Sequence, residues 1–240
     1  MLHSSVARAM STSSSQSSQA AKRGALIFLH GLGDTPLGWS ELQYALPQMR
    51  PKLKDIAYVF PPAPTIPISI NGGMKMPGWF DLYDWPIGVG SKDDKEGLLA
   101  GVEQIEKEVE NLKTQGIEPS KIVVAGFSQG GAVALLAAYR ASSSGTGYAG
   151  CAGLSAWLTL SEELNISSAA KKTPLFWAHG RYDDKVLFEQ QRFGVDKLRE
   201  MGISVTDKQY DISHESDPAE LAALAEFVEA SIFGDGDTEL

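Results

Sequence analysis

Ser128 stands between a run of β-prone residues and a run of small ones, in Ile122-Val-Val-Ala-Gly126-Phe-Ser128-Gln-Gly130-Gly131 followed by Ala132-Val-Ala-Leu-Leu-Ala-Ala138. Gly-x-Ser-x-Gly between a strand and a helix is the sharp turn that lifts a serine hydroxyl clear of its neighbours. Such a turn strains the serine backbone and brings chain segments so close that the positions two before and two after must lack side chains. The helix that follows aims its free N–H groups at any negative charge formed beside the serine. The chemistry this suits is acyl transfer, with Ser128 attacking a carbonyl carbon.

A serine hydroxyl is a weak nucleophile at neutral pH and needs a base, which in turn needs an orienting carboxylate. Only His179 and His214 follow Ser128. His214 falls in Ser213-His-Glu-Ser216, between a strand-like and a helix-like segment, and is the better base. His179 ends a strand and reads as structural. The acid is Asp183 or Asp184, adjacent residues just past that strand; spacing alone leaves the choice open. Two aimed N–H donors must hold the oxyanion. The backbone N–H of Gln129 follows the nucleophile, and Leu32, in His30-Gly-Leu-Gly33 after the first strand, supplies the other.

These groups come together if strands and helices alternate. Gly24–His30, Asp55–Phe60, Ile122–Phe127, Tyr148–Trp157, Pro174–His179 and Ile203–Tyr210 read as strands. Trp39, Leu42 and Leu46 mark a short helix that Pro47 should stop. Leu98, Val102, Ile105, Val109 and Leu112 step by fours and threes, an amphipathic helix within Asp93–Gly116. Leu187–Met201 is a helix ended by Gly202, and Asp217-Pro-Ala-Glu220 opens the last one as N-cap, first-turn proline and capping-box glutamate. The expected fold is a single α/β domain over 24–233, with a mostly parallel, doubly wound sheet and its active groups at the strands' C-terminal ends. Residues 158–173 are too few for a lid domain, so the site should be open. Residues 61–92 show no helix or strand period and carry prolines and clustered aromatics. A loop of that length is usually functional. Its apolar residues Ile66, Ile68, Ile70, Met74, Met76, Trp79 and Phe80 are expected to form an acyl-chain groove, the alternative being a second core under the loop.

The chain has 240 residues with a net charge of −9, which argues against nucleic acid or a strongly anionic membrane as partner. Cys151 is the single cysteine, so no internal disulfide forms and a reducing compartment fits. The histidines are scattered, so no metal or other cofactor is expected. The uncharged stretches Ile122–Tyr139 and Ala141–Ser161 hold too many Gly, Ser and Gln residues to span a membrane. Residues 1–23 are Ser-rich and free of acid, an extension either disordered or serving as an organelle transit peptide, with Met10 an alternative start. Residues 234–240 form a loose acidic tail.

Four segments, Phe28–Thr35, Gly72–Asp81, Gly126–Gly131 and His179–Val186, resemble in order the motifs of the acyl-protein thioesterase, lysophospholipase and carboxylesterase family of α/β-hydrolases, over residues 24–232. The resemblance implies the triad Ser128, Asp183 and His214, with Asp183 as the acid. It implies hydrolysis of long-chain acyl thioesters of protein cysteines and related esters, with acylated protein or lipid ester as partner and at most peripheral membrane contact. Relatives that carry an acylated N-terminal cysteine differ from this chain, which has none there. Location is expected to be cytoplasmic, or organellar if residues 1–23 form a transit peptide. A carboxylesterase or lysophospholipase acting on small esters is the first alternative. The second is a hydrolase-fold binding protein without catalysis, against which the intact Ser, His and Asp set argues.

Overall fold

The computed structural model describes residues 21–140 and 147–234. Strands β1 (Ala25–Leu29), β2 (Ala57–Val59), β5 (Ile122–Phe127), β6 (Gly150–Leu154), β7 (Leu175–Gly180) and β8 (Val205–Tyr210) form one sheet in the order β2-β1-β5-β6-β7-β8. All of its pairings are parallel. The chain leaves β1 for β2 on one side and returns to β5 on the other. The crevice between the ends of β1 and β5 is therefore the point where the winding reverses, the place such sheets bind ligands.

Alternation along each strand feeds two cores. Ala25, Ile27, Leu29, Ile122 and Val124 pack toward α3 (Lys95–Thr114), α4 (Gln129–Tyr139) and α5 (Glu189–Glu200). Leu26, Phe28, Val123 and Ala125 pack toward α2 (Leu42–Met49) and α6 (Pro218–Phe233). The stepping of α3 puts Leu98, Val102, Ile105, Val109 and Leu112 on its buried side, and Asp94 caps it by accepting the N–H of Gly97 at 3.1 Å. Every residue of α4 is buried, with Gly130, Gly131, Ala132, Ala134, Ala137 and Ala138 leaving room for close packing. The edge strand β8 alternates half-buried and exposed over most of its length. Residues 155–174, between β6 and β7, hold two short 3₁₀ turns and no lid domain.

Three local expectations need correction. Trp39 does not share a helix with Leu42 and Leu46 but ends a separate short one, α1 (Pro36–Trp39). Nor does Pro47 stop the helix: it sits inside α2, which runs two residues further and closes with Arg50 N–H on the Leu46 carbonyl at 2.8 Å. So near the C-terminus, the proline forfeits little of the ladder. Residues 61–92 are not without strands: β3 (Thr65–Ile68) and β4 (Met74–Pro77) pair antiparallel outside the main sheet, with Ile66 opposite Met76. Pro67 and Pro77 break the pattern a strand is read from, while Gly72 and Gly73, at φ 64° and 78°, turn the hairpin. The capping box of α6 is half made. Asp217 accepts the Ala219 N–H at 2.7 Å, but neither carboxyl oxygen of the buried Glu220 has a hydrogen-bond partner. The first twenty residues of the expected extension, and Asp235–Leu240 of the tail, lie outside the described residues.

Candidate active site

The turn after β5 holds Ser128 at φ 54°, ψ −122°, a left-handed conformation costly for a residue with a side chain. The neighbouring glycines are forced by contact. A side chain on Gly126 would overlap the backbone of Gly130, and one on Gly130 would overlap the carbonyls of Leu29 and His30. Ser128 N–H bonds the Leu154 carbonyl at 2.8 Å, tying the turn to the end of β6.

Ser128 Oγ lies 3.0 Å from His214 Nε2, and His214 Nδ1 lies 2.8 Å from Asp183 Oδ2. A carboxylate can only accept from the imidazole here, so Nδ1 carries the proton and Nε2 is free to accept one from the serine. Each member comes from the C-terminal end of a different parallel strand or the loop after it. Asp183 is buried, and its Oδ1 accepts the N–H groups of Lys185 and Val186, both at 2.9 Å. Desolvation works against its charge. The nearby His179 N–H, the hydrogen bond and charge of His214 and the Val186 amide together outweigh it and hold the carboxyl well below the usual range. Asp184 instead pairs with Lys185 at 3.0 Å on the surface. His179 is fully buried at the end of β7, with Nε2 2.8 Å from the Val186 carbonyl.

Leu32 and Gln129 border the same cavity as Ser128. The Gly31 carbonyl is held by His30 Nδ1 at 2.8 Å and Asp34 N–H at 3.3 Å. That fixes the Gly31–Leu32 peptide plane and turns the Leu32 N–H to its opposite side. Neither the Leu32 nor the Gln129 N–H has an acceptor among the described residues.

The cavity at Ser128 measures about 470 Å³ and has two walls. Leu82, Ile87, Trp157 and Val186 form one, continuous with the core against α3. Trp39 and Phe127 form the other, continuous with the opposite core, and the Phe127 ring lies 4.8 Å from the His214 ring. The remaining lining includes polar and charged groups, Asp34, Lys185, Glu215 and Ser216, with half-exposed Trp85.

None of Ile70, Met74, Met76, Trp79 and Phe80 lines this cavity. Trp79 and Phe80 are core residues, clamped by the buried side chain of Gln129, which accepts the Trp79 N–H at 2.9 Å and donates to the Phe80 carbonyl at 2.6 Å. The Trp79 indole N–H is spent on the His30 carbonyl at 2.8 Å. Ile70 and Met76 pack against the same core, and Met74 is exposed. The segment thus mainly extends the core against α3 rather than forming a separate one under the loop, and its contribution to the cavity comes later, from Leu82, Trp85 and Ile87. Sequence reasoning missed these, and also Trp157 and Val186. The one available signal was position, since Trp157 and Val186 follow strand ends.

The phospholipase/carboxylesterase family profile matches residues 10–232. An acyl-protein thioesterase 1 of Emericella nidulans is 35% identical over 219 residues, 86% of this chain and 90% of that protein. The crystal structure of Arabidopsis thaliana SOBER1 superposes with a TM-score of 0.80 at 28% identity, covering 87% of this chain and 99% of that one. That of Zea mays acyl-protein thioesterase 2 gives 0.74 at 28%, covering 89% and 96%. A profile match across nearly the whole chain, on a single-domain α/β-hydrolase fold, places this protein in the phospholipase/carboxylesterase family, as a hydrolase of the esterase and thioesterase type.

Proposed function

We propose that this hydrolase works through Ser128, His214 and Asp183 and removes long-chain acyl groups from protein cysteines, accepting related acyl esters. The observation that carries the reading is the unbroken relay from Ser128 Oγ through His214 to Asp183, opening on a cavity with apolar walls. As Oγ attacks the acyl carbonyl, His214 Nε2 takes its proton, and Asp183 steadies the imidazolium. The oxyanion is received by the N–H groups of Leu32 and Gln129. His214 then returns the proton to the departing thiolate or alkoxide, leaving an acyl-enzyme on Ser128. Water, deprotonated by His214, attacks that ester and releases the fatty acid. No cofactor enters these steps.

The acyl chain is assigned to the wall of Leu82, Ile87, Trp157 and Val186, which carries four of the apolar residues lining the cavity beside Ser128. The mouth, with Trp85 exposed and no lid domain beside it, suits a leaving group as bulky as a protein. Among the described residues no helix is long and apolar enough to cross a membrane, and the substrate's acyl chain is reached from the aqueous side in this reading. The hydrolase body is assigned to residues 24–233, and cytoplasmic location is part of the same proposal.

An acyl-length series on matched thioesters and oxyesters tests this. Each buried methylene contributes about 0.8 kcal/mol, so four more carbons in the cavity favour the longer chain by up to ~10²-fold in kcat/KM. A rate that is flat from acetyl to palmitoyl would overturn the long-chain assignment and leave a small-ester carboxylesterase.

A further inference from the structure

His179 ends β7, four residues before Asp183, and none of the steps above uses it. It is fully buried, and its Nε2 faces two oxygens: the Val186 carbonyl at 2.8 Å and Asp183 Oδ2 at 3.4 Å. Two acceptors at one nitrogen place the proton there. The Val186 contact is a hydrogen bond, whereas the carboxylate at 3.4 Å is too far for a well-formed one and feels the N–H as a nearby dipole.

Asp183 Oδ2 therefore lies between two imidazole edges, His214 Nδ1–H on one side and His179 Nε2–H on the other, while Oδ1 is occupied by the amides of Lys185 and Val186. The bond to the Val186 carbonyl ties the far end of the 183–186 turn back to the strand that precedes it. From the other direction Ile87 bridges to Val186, with its N–H on the Lys185 carbonyl at 2.8 Å and its carbonyl accepting from Leu187 at 2.9 Å. The turn that carries the acid is held on both flanks.

We propose that His179 is a positioning residue for the hydrolytic reaction: its Nε2–H closes the 183–186 turn beneath Asp183 and sets the Oδ2 lone pair on His214. This inference rests on the serine-hydrolase reading above. His179 Nδ1 has no hydrogen-bond partner among the described residues, so only the Nε2 edge is engaged. An amide N–H delivered to the same place should then serve as well, and the basicity of imidazole is not required. Glutamine carries such a donor at about the reach of Nε2; leucine has the bulk without the donor.

The test compares His179→Gln and His179→Leu in the full chain. kcat and KM are measured on an octanoyl thioester, together with the pH profile of kcat/KM, the melting temperature and the rate of labelling by a fluorophosphonate. Loss of the donor should lower kcat about tenfold with KM little changed, the scale of a misaligned catalytic group. The acid limb of the profile should move to higher pH, because a carboxylate with one donor fewer presents more charge to His214. His179→Gln should restore both. If the leucine variant does not fold, His179→Asn, polar but too short to reach Val186, takes its place. The proposal is overturned if the glutamine and leucine variants are alike in kcat and in the acid limb, differing from wild type only in melting temperature. A wild-type chain that resists the fluorophosphonate would instead remove the parent reading.

Discussion

Ser128, His214 and Asp183 act in this account as one unit, and single losses should nearly equal joint loss. Ser128→Ala and His214→Ala are each expected to lower kcat by roughly 10⁶, with the double variant little worse. Asp183→Asn should cost roughly 10⁴, because an amide stabilises the wrong imidazole tautomer. Asp184→Asn should leave turnover nearly unchanged, since that carboxylate sits at the surface against Lys185. Steady-state kinetics on a thioester checks all four. At this scale much could be read from the chain. Gly-x-Ser-x-Gly is legible because backbone contacts at Gly126 and Gly130 exclude every other residue. The choice between Asp183 and Asp184 was not, because two adjacent carboxylates differ only in where the turn points them.

Among the elements, the segment after β2 shows where sequence pattern stops. Trp79 and Trp157 are both tryptophans in loops near strand ends, yet Trp79 is locked into the core and Trp157 borders the cavity. Nothing in residue type separates them; the difference is made by Gln129, whose side chain grips the backbone at 79 and 80. Gln129→Ala should therefore destabilise the fold by roughly 2–5 kcal/mol, two buried backbone groups losing their partners. Urea unfolding measures this, while fluorophosphonate labelling should persist because the backbone N–H of residue 129 remains. Trp157→Ala is expected to weaken the preference for long acyl chains and leave acetyl ester turnover within a fewfold. Equal losses at all chain lengths would contradict the assignment of that wall.

The whole molecule is a parallel sheet between two cores, and its topology was legible because strand-like and helix-like segments alternate with clear ends. Its response to pH was not, because it depends on burial. Glu220, in the first turn of α6, is fully buried, and desolvation raises its pKa from 4.5 to about 8. The Asp217 N–H, close by but not in a completed hydrogen bond, opposes this only in part, and the Asp217 charge adds to it. The folded chain keeps this proton where the unfolded chain has lost it. The contribution to stability is thus complete below pH 4.5 and is lost as pH rises toward about 8, with a slope of up to ~1.4 kcal/mol per unit. Denaturant unfolding at several pH values should show Glu220→Gln gaining on wild type as pH rises across that window. A difference between the two that does not change with pH would mean that Glu220 is charged in the folded chain.

The central claim, that Ser128 carries the acyl group during turnover, is tested most directly by trapping it. The protein is mixed with a palmitoylated cysteinyl peptide, quenched in acid within milliseconds, digested and read by mass spectrometry. A palmitoyl ester is expected on the peptide containing Ser128, absent from Ser128→Ala, appearing before free palmitate accumulates. Palmitate released at the same rate by Ser128→Ala, or an acyl group found on another residue, would contradict it.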